Sequence, residues 1–208
     1  MAAQKPAVAY WLDNSLYLNI TNQCSNNCWF CFRNYKQGVG GFNLKLIQEP
    51  TGAEAISELQ KTLPTRRWSE LVFCGFGEPT ARLDVLLEVA QWIRKKDPTI
   101  PIRLDTNGHG CALNKGRNVA TELKSAGVNS VSISLNGYNE ETYRENCRPN
   151  FVGAYAEVVN FIRAAKAAGL EVEVSAVRMP EVDIPKVKAV AGGLGVPFRV
   201  RDYTPCFW

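Results

Sequence analysis

The feature that most constrains this chain is its alternation of short apolar runs with helical stretches. Strand-like runs are "SLYLNI" (residues 15–20), "ELVFCGF", "IRLDTNG", "SVSISLNG", "LEVEVSAV" and "PFRVRDY". Between them lie "GAEAISELQKTL" behind a Thr51 cap, "DVLLEVAQWIRKK" starting at Asp84, and "RNVATELKSAG" closed by Gly127. "EETYRENC", "FVGAYAEVVNFIRAAKAAG" ending at Gly169, and "IPKVKAVAGGLG" complete the helical set. Six strands, each separated from the next by a helix, form a parallel sheet, because parallel neighbours need a long crossover.

Open doubly wound sheets and barrels both satisfy this order, and the strand faces separate them. A doubly wound sheet is covered on both sides and reads as continuous apolar runs. Here Ile102 and Leu104 alternate with Arg103, Asp105 and Asn107, and Val131, Ile133 and Leu135 with Ser132, Ser134 and Asn136. Val172, Val174 and Ala176 alternate with Glu171, Glu173 and Ser175. Tyr17 and Asn19 on the first strand, and Arg199 and Arg201 on the sixth, extend the polar rows. Helices take the apolar face, so the polar rows point into the concave side of a curved sheet. A complete eight-stranded barrel fills its interior with branched apolar side chains. The pattern therefore predicts an α/β fold, a partial (βα)6 barrel of the TIM type with a hydrated cavity. On the fifth or sixth strand the polar row equally suits a solvated sheet edge.

Three of the seven cysteines fall within eight residues, in "QCSNNCWFCFR" after the first strand, and the chain has a single histidine. An odd cysteine count with three local neighbours does not read as a secreted disulfide framework. With 46% hydrophobic and 21% charged residues the composition is that of a globular chain, and the net charge of +4 without a dense basic tract does not itself point to nucleic acid. No apolar run reaches the length of a membrane span and no secretory leader is evident, which reads as cytoplasmic.

Four readings compete for Cys24, Cys28 and Cys31: chance burial, structural zinc, a cluster with four cysteine ligands, or a [4Fe–4S] cluster with one open iron. Zinc would need Cys74, Cys111, Cys147, Cys206 or His109 as a fourth ligand, and no second Cys-x-x-Cys pair is present. An open iron can instead be chelated by an amino group and a carboxylate.

Cys-x-x-x-Cys-x-aromatic-Cys after a first strand resembles the signature loop of the radical S-adenosylmethionine superfamily. That resemblance implies a [4Fe–4S] cluster on Cys24, Cys28 and Cys31, S-adenosyl-L-methionine on the open iron, and Phe30 near the adenine. It implies reductive cleavage of the cofactor to a 5′-deoxyadenosyl radical, hydrogen abstraction from an unidentified substrate, and an external electron donor of flavodoxin or ferredoxin type. "CGFGEPT" is similar to the family's Gly-Gly-Glu-Pro segment, implying that Gly75, Gly77 and Glu78 hold the methionine amine, with Phe76 as a departure; as bare sequence it is a sharp turn. Asp105 and Asn107 in "DTNG" sit where ligands collect at strand ends. Ser134 and Asn136 resemble the family's ribose and carboxylate contacts, while Ser132 equally suits a satisfied structural hydroxyl. Arg148 resembles an arginine that pairs with the cofactor carboxylate, against the alternative of a solvated helix end. Val177 and Met179 suit either the adenine or the core. Arg199 and Arg201 suit either an anionic substrate group or ion pairs with Glu173 or Asp105.

The expected organisation is one domain over residues 1–208, with a cluster loop at 20–34 and no auxiliary-cluster domain. Without a C-terminal lid the barrel side is open, which points to a bulky substrate or a closing partner. "LYLNITNQCSNNCWFCFRN" with "VFCGFGEPT" resembles the radical S-adenosylmethionine proteins associated with TatD-type hydrolases. Glycyl-radical activases and deazapurine-forming synthases are short alternatives in the superfamily, although the latter's usual glycine- and glutamate-rich opening is not found before Cys24. A zinc- or cluster-binding module without turnover is the alternative of another class. Cys74, Cys111, Cys147 and Cys206 show no spacing for a second cluster.

Overall fold

The computed structural model describes residues 5–203. Its strands are β1 (Ala9–Leu12), β2 (Ser15–Leu18), β3 (Gly38–Val39), β4 (Phe42–Asn43), β5 (Glu70–Phe73), β6 (Ile102–Thr106), β7 (Ser130–Ser134), β8 (Glu171–Arg178) and β9 (Phe198–Asp202). Its helices are α1 (Gly52–Thr62), α2 (Leu83–Lys96), α3 (Gly110–Leu113), α4 (Val119–Ser125), α5 (Glu140–Cys147), α6 (Ala154–Ala167) and α7 (Ile184–Gly193).

The main sheet runs β1-β2-β5-β6-β7-β8-β9 and does not close, so β1 and β9 are edges of a partial barrel. The six predicted strands are present and mutually parallel. The structure adds a seventh, β1, antiparallel to β2. Its turn places Asp13 at φ 50°, a left-handed conformation that aspartate tolerates better than most residues.

The alternating faces behave as the patterning predicts. Ile102, Leu104, Val131, Ile133, Val174 and Ala176 are buried beneath the helices. The register sets Asp105 beside Ser132, Ser132 beside Glu173, and Ser175 beside Arg199, which forms continuous polar rows on the concave side. The edge alternative holds locally, because Glu171 and Arg199 are exposed whereas Ser175 is buried.

Caps set the helix limits. Thr51 forms a reciprocal capping box with Glu54 on α1. Asn139 does the same with Thr142 on α5. Asp84 lies in the first turn of α2, after a 3-10 turn over Pro79–Arg82. α6 starts later than its pattern predicts because Gly153 takes φ 78° at the cap.

The open side is narrower than expected. The β3–β4 hairpin turns through Gly40 and Gly41 at positive φ and packs on β1 through Phe42, whose ring lies 5.8 Å from Tyr10 and 4.8 Å from Trp11. Among the described residues, no helix is long and apolar enough to cross a membrane.

Candidate active site

The loop after β2 carries the three thiols, and its shape follows from contacts with distant segments. Asn19 is fully buried; its amide donates to the carbonyls of Ala7 and Leu44, and its oxygen accepts from Phe76 N at 2.9 Å. Glu49 accepts from Thr21 Oγ1, Asn22 N, Gln23 Nε2 and Arg82, which pins the start of the loop. Arg33 spans the loop from inside, donating to Cys31 Sγ at 3.3 Å and to the carbonyls of Asn22 and Asn26. Burial lowers the Arg33 pKa, but the Cys31 contact and the nearby thiols leave it raised overall.

The Gly75–Glu78 turn docks directly on this loop. Gly77 N donates to Thr21 O and Glu78 N to Gln23 O. A Cβ on Gly75 would overlap Asn19, and one on Gly77 would overlap Gln23, so both glycines are required by close backbone approach. Phe76 meets no such wall: its ring stands edge-on to Phe32 at 5.8 Å, with the Arg33 guanidinium over it. This explains why the second position accepts a large residue.

Glu78 is buried, and its carboxylate accepts from Thr80 N and Oγ1, Thr106 Oγ1 and Asn107 N. Burial raises its pKa and these hydrogen bonds oppose that rise. The carboxylate thus ties the turn to the end of β6. Asn107 continues the link, donating to Ser25 Oγ at 2.9 Å and to Cys24 Sγ at 3.8 Å.

His109 lies behind the loop with both ring nitrogens engaged, Nδ1 with Ser25 Oγ at 2.8 Å and Nε2 with Tyr143 Oη at 3.0 Å. Tyr143 also accepts from Asn26 Nδ2. Burial lowers the His109 pKa to about 4. A neutral ring with two partners has no nitrogen left for a metal, so His109 is not the missing ligand.

Cys24, Cys28, Cys31, Phe30, Gly75, Phe76, Gly77, Glu78, Asp105, Asn107, Ser134 and Asn136 line one cavity of about 650 Å³, joined by Val177. Arg148 does not join them. It is the exposed end residue of α5 at φ 48°, the solvated helix end of the alternative. Met179 is buried in the core cluster. Asn136 Oδ1 accepts from Val177 N at 2.8 Å, and Asp105 is held by Arg103. Ser132 bonds Glu173 and Arg199, and Ser134 accepts from Arg201.

The donor set suits a thiolate-bound cluster. All three loop cysteines are free of disulfides and share one wall. The buried Oδ1 of Asn26 in the same lining has no hydrogen-bond partner among the described residues. Burial holds the Cys24 thiol up at about 11, and contact with Cys147 followed by burial raises Cys28. Metal binding would displace these protons. Cys147 is buried behind the loop and does not line the cavity. Cys74 does line it, but its carbonyl accepts from Tyr10 Oη at 3.3 Å and its thiol stands among Asp105, Arg201 and Arg103. Cys111 lies on α3, and Cys206 lies outside the described residues. No group of three or more His, Cys, Asp and Glu among the described residues is arranged as the ligands of a single ion.

Arg33, Glu49 and Tyr143 were missed as parts of this site, and His109, considered as a zinc ligand, proves to be a hydrogen-bonded support of the loop. Only Arg33 has a local signal, two residues beyond the last cysteine of the motif.

Comparison with known proteins gives the family and the fold. A model of the radical SAM superfamily matches residues 18–190. GTP 3′,8-cyclase of Paenarthrobacter nicotinovorans is 29% identical over 192 residues, covering 90% of this chain and 50% of the relative. Probable GTP 3′,8-cyclase of Methanocaldococcus jannaschii is 29% identical over 196 residues, covering 92% and 59% respectively. The chain therefore spans about half the length of these curated relatives. The solved structure of Streptococcus suis SuiB bound to S-adenosylmethionine shares the fold with a TM-score of 0.71 at 14% identity, over 93% of this chain and 41% of that one. The chain belongs to the radical SAM superfamily, whose enzymes bind a [4Fe–4S] cluster and S-adenosylmethionine.

Proposed function

We propose that this chain reductively cleaves S-adenosylmethionine and modifies a substrate by hydrogen abstraction. One observation carries the reading: three unpaired thiols, a glycine turn pressed against their loop, and the polar ends of β6 and β7 line a single cavity. Cys24, Cys28 and Cys31 would hold the cluster. Gly75–Glu78, Asp105, Asn107, Ser134 and Asn136 would bind the cofactor, with Phe30 and Val177 offering apolar surface. A cluster held by these thiols would supply, on reduction, the electron that splits the sulfonium C5′–S bond into methionine and a 5′-deoxyadenosyl radical. The chain's own part is positional: Glu78 fixes the turn, Asn107 and Arg33 orient the loop thiols, and the β3–β4 hairpin restricts water at the open side. Arg148 enters the reading only if its side chain turns inward from the α5 terminus.

The same reading carries a donor of flavodoxin or ferredoxin type, one domain, and a reducing cytoplasmic setting in which the thiols stay free. The finer likeness to TatD-associated proteins rests on the loop and turn sequences. The relatives' names add a second possibility, a purine nucleotide substrate.

Anaerobic reconstitution with iron and sulfide tests the assignment. The expected product has the absorption of a [4Fe–4S] cluster and an electron paramagnetic resonance spectrum that changes when S-adenosylmethionine is added. One zinc per chain without visible absorption would support the non-catalytic module instead.

A further inference from the structure

Three arginines line the inner part of the barrel, and they are not equivalent. Arg103 is paired with Glu70 at 3.0 Å and with Asp105. Arg199 is paired with Glu173 at 2.7 Å and also donates to Ser132. Arg201 has no ion pair among the described residues. Its Nη2 donates to Ser134 Oγ at 3.0 Å, while its Nε is buried without a partner. Burial lowers its pKa below the ordinary arginine value, opposed by the nearby Asp105. Asp105 is already held by Arg103.

Buried polar groups are nearly always satisfied, and a buried charge without a counter-charge is costly. Water can fill one N–H but does not neutralise the cation. A guanidinium fork matches the two oxygens of a carboxylate or phosphate. The nearby Asp105 partly offsets its charge but is engaged by Arg103, so the unpartnered Nε leaves the Arg201 fork open to a further anion.

Its position says which molecule brings that anion. Arg201 lines both the outer cavity that holds the thiols and an inner chamber of about 680 Å³. The inner chamber reaches down to Ser130 and Glu171, and none of the three loop cysteines lines it. That volume suits a small molecule or the end of a larger one.

We propose that the inner chamber is the substrate pocket and that Arg201 anchors a carboxylate or phosphate group of the substrate within it. This rests on the reading of the outer cavity as the cofactor site. The cofactor's own carboxylate is the other source of the same chemistry, and the test separates the two.

Anaerobically reconstituted wild type, Arg201→Gln and Arg199→Gln are compared for S-adenosylmethionine affinity, and for the rise in Tm caused by inorganic phosphate and by malonate. The anion series is run with and without S-adenosylmethionine at constant ionic strength. Both anions should stabilise wild type and Arg199→Gln. Arg201→Gln should lose about ten-fold or more in anion affinity, the scale of one charge-assisted hydrogen bond. Its S-adenosylmethionine affinity should be unchanged, and without anion it should melt no lower than wild type. An equal anion response in wild type and Arg201→Gln overturns the proposal. So does a ten-fold loss of S-adenosylmethionine affinity with the phosphate response intact, which gives Arg201 to the cofactor. If no variant bound S-adenosylmethionine but the anion response still depended on Arg201, the anion seat would stand and the cofactor reading would fall.

Discussion

His109 joins the cysteine loop to α5 as a buried, neutral ring between Ser25 and Tyr143. Its pKa falls from the ordinary 6.5 to about 4 because burial disfavours the charged form. Below pH 6.5 the unfolded chain takes a proton that the folded chain refuses until about pH 4. The stability present above pH 6.5 is therefore lost as pH falls through that window, by about 3 kcal/mol at 1.36 kcal/mol per unit. Urea unfolding of wild type and His109→Gln between pH 7.5 and 4 checks this: wild type should lose the extra amount and the variant should not. A parallel loss in both would remove His109 from the account. Glu49 makes a second test, because it gathers four donors at the root of the loop. Glu49→Ala should lower iron retained after reconstitution and cost about 2 kcal/mol, the scale of a lost charged hydrogen-bond acceptor. Iron content and denaturation midpoints report both.

The thiol loop and the glycine turn form one unit, since the backbone of each is the wall of the other. Gly77→Ala would push a methyl group into Gln23. It should destabilise the fold by about 1–3 kcal/mol and lower cluster yield, as overpacking does in rigid surroundings. Unchanged melting and full iron loading would show that the two segments do not interlock. The strands were legible because a period of two survives in single runs such as Arg103–Asp105 and Ser132–Ser134, and α1, α4 and α6 were legible from the Thr51 cap and the closing Gly127 and Gly169, whereas the four-residue α3 was not. β1 was not, being four residues long with its turn on a left-handed aspartate. The supports of the thiol loop were also hidden. Ser25 and His109 are 84 residues apart, and Asn26 and Tyr143 are 117 apart, so no local pattern marks them as partners. Arg148 is the reverse case, a local match that the α5 terminus leaves exposed and outside the cavity lining.

At the scale of the molecule, an unclosed, mostly parallel sheet leaves two neighbouring chambers that share Asp105 and Arg201, with the loop thiols beside the outer one and sorted arginines in the inner one. Helices cover the convex apolar face, so chemistry is confined to the concave polar side. The account depends on a metal site completed by three side chains and no fourth. Among the described residues, Cys74 and Cys147 are the two other thiols near enough to challenge it. The most direct measurement is 5′-deoxyadenosine release from dithionite-reduced, reconstituted protein given S-adenosylmethionine, in wild type, Cys28→Ala and the Cys74→Ala/Cys147→Ala double variant. Wild type and the double variant should both release it, with matching iron content, and Cys28→Ala should not. Loss of the cluster in the double variant, or no 5′-deoxyadenosine from fully loaded wild type, would contradict the account.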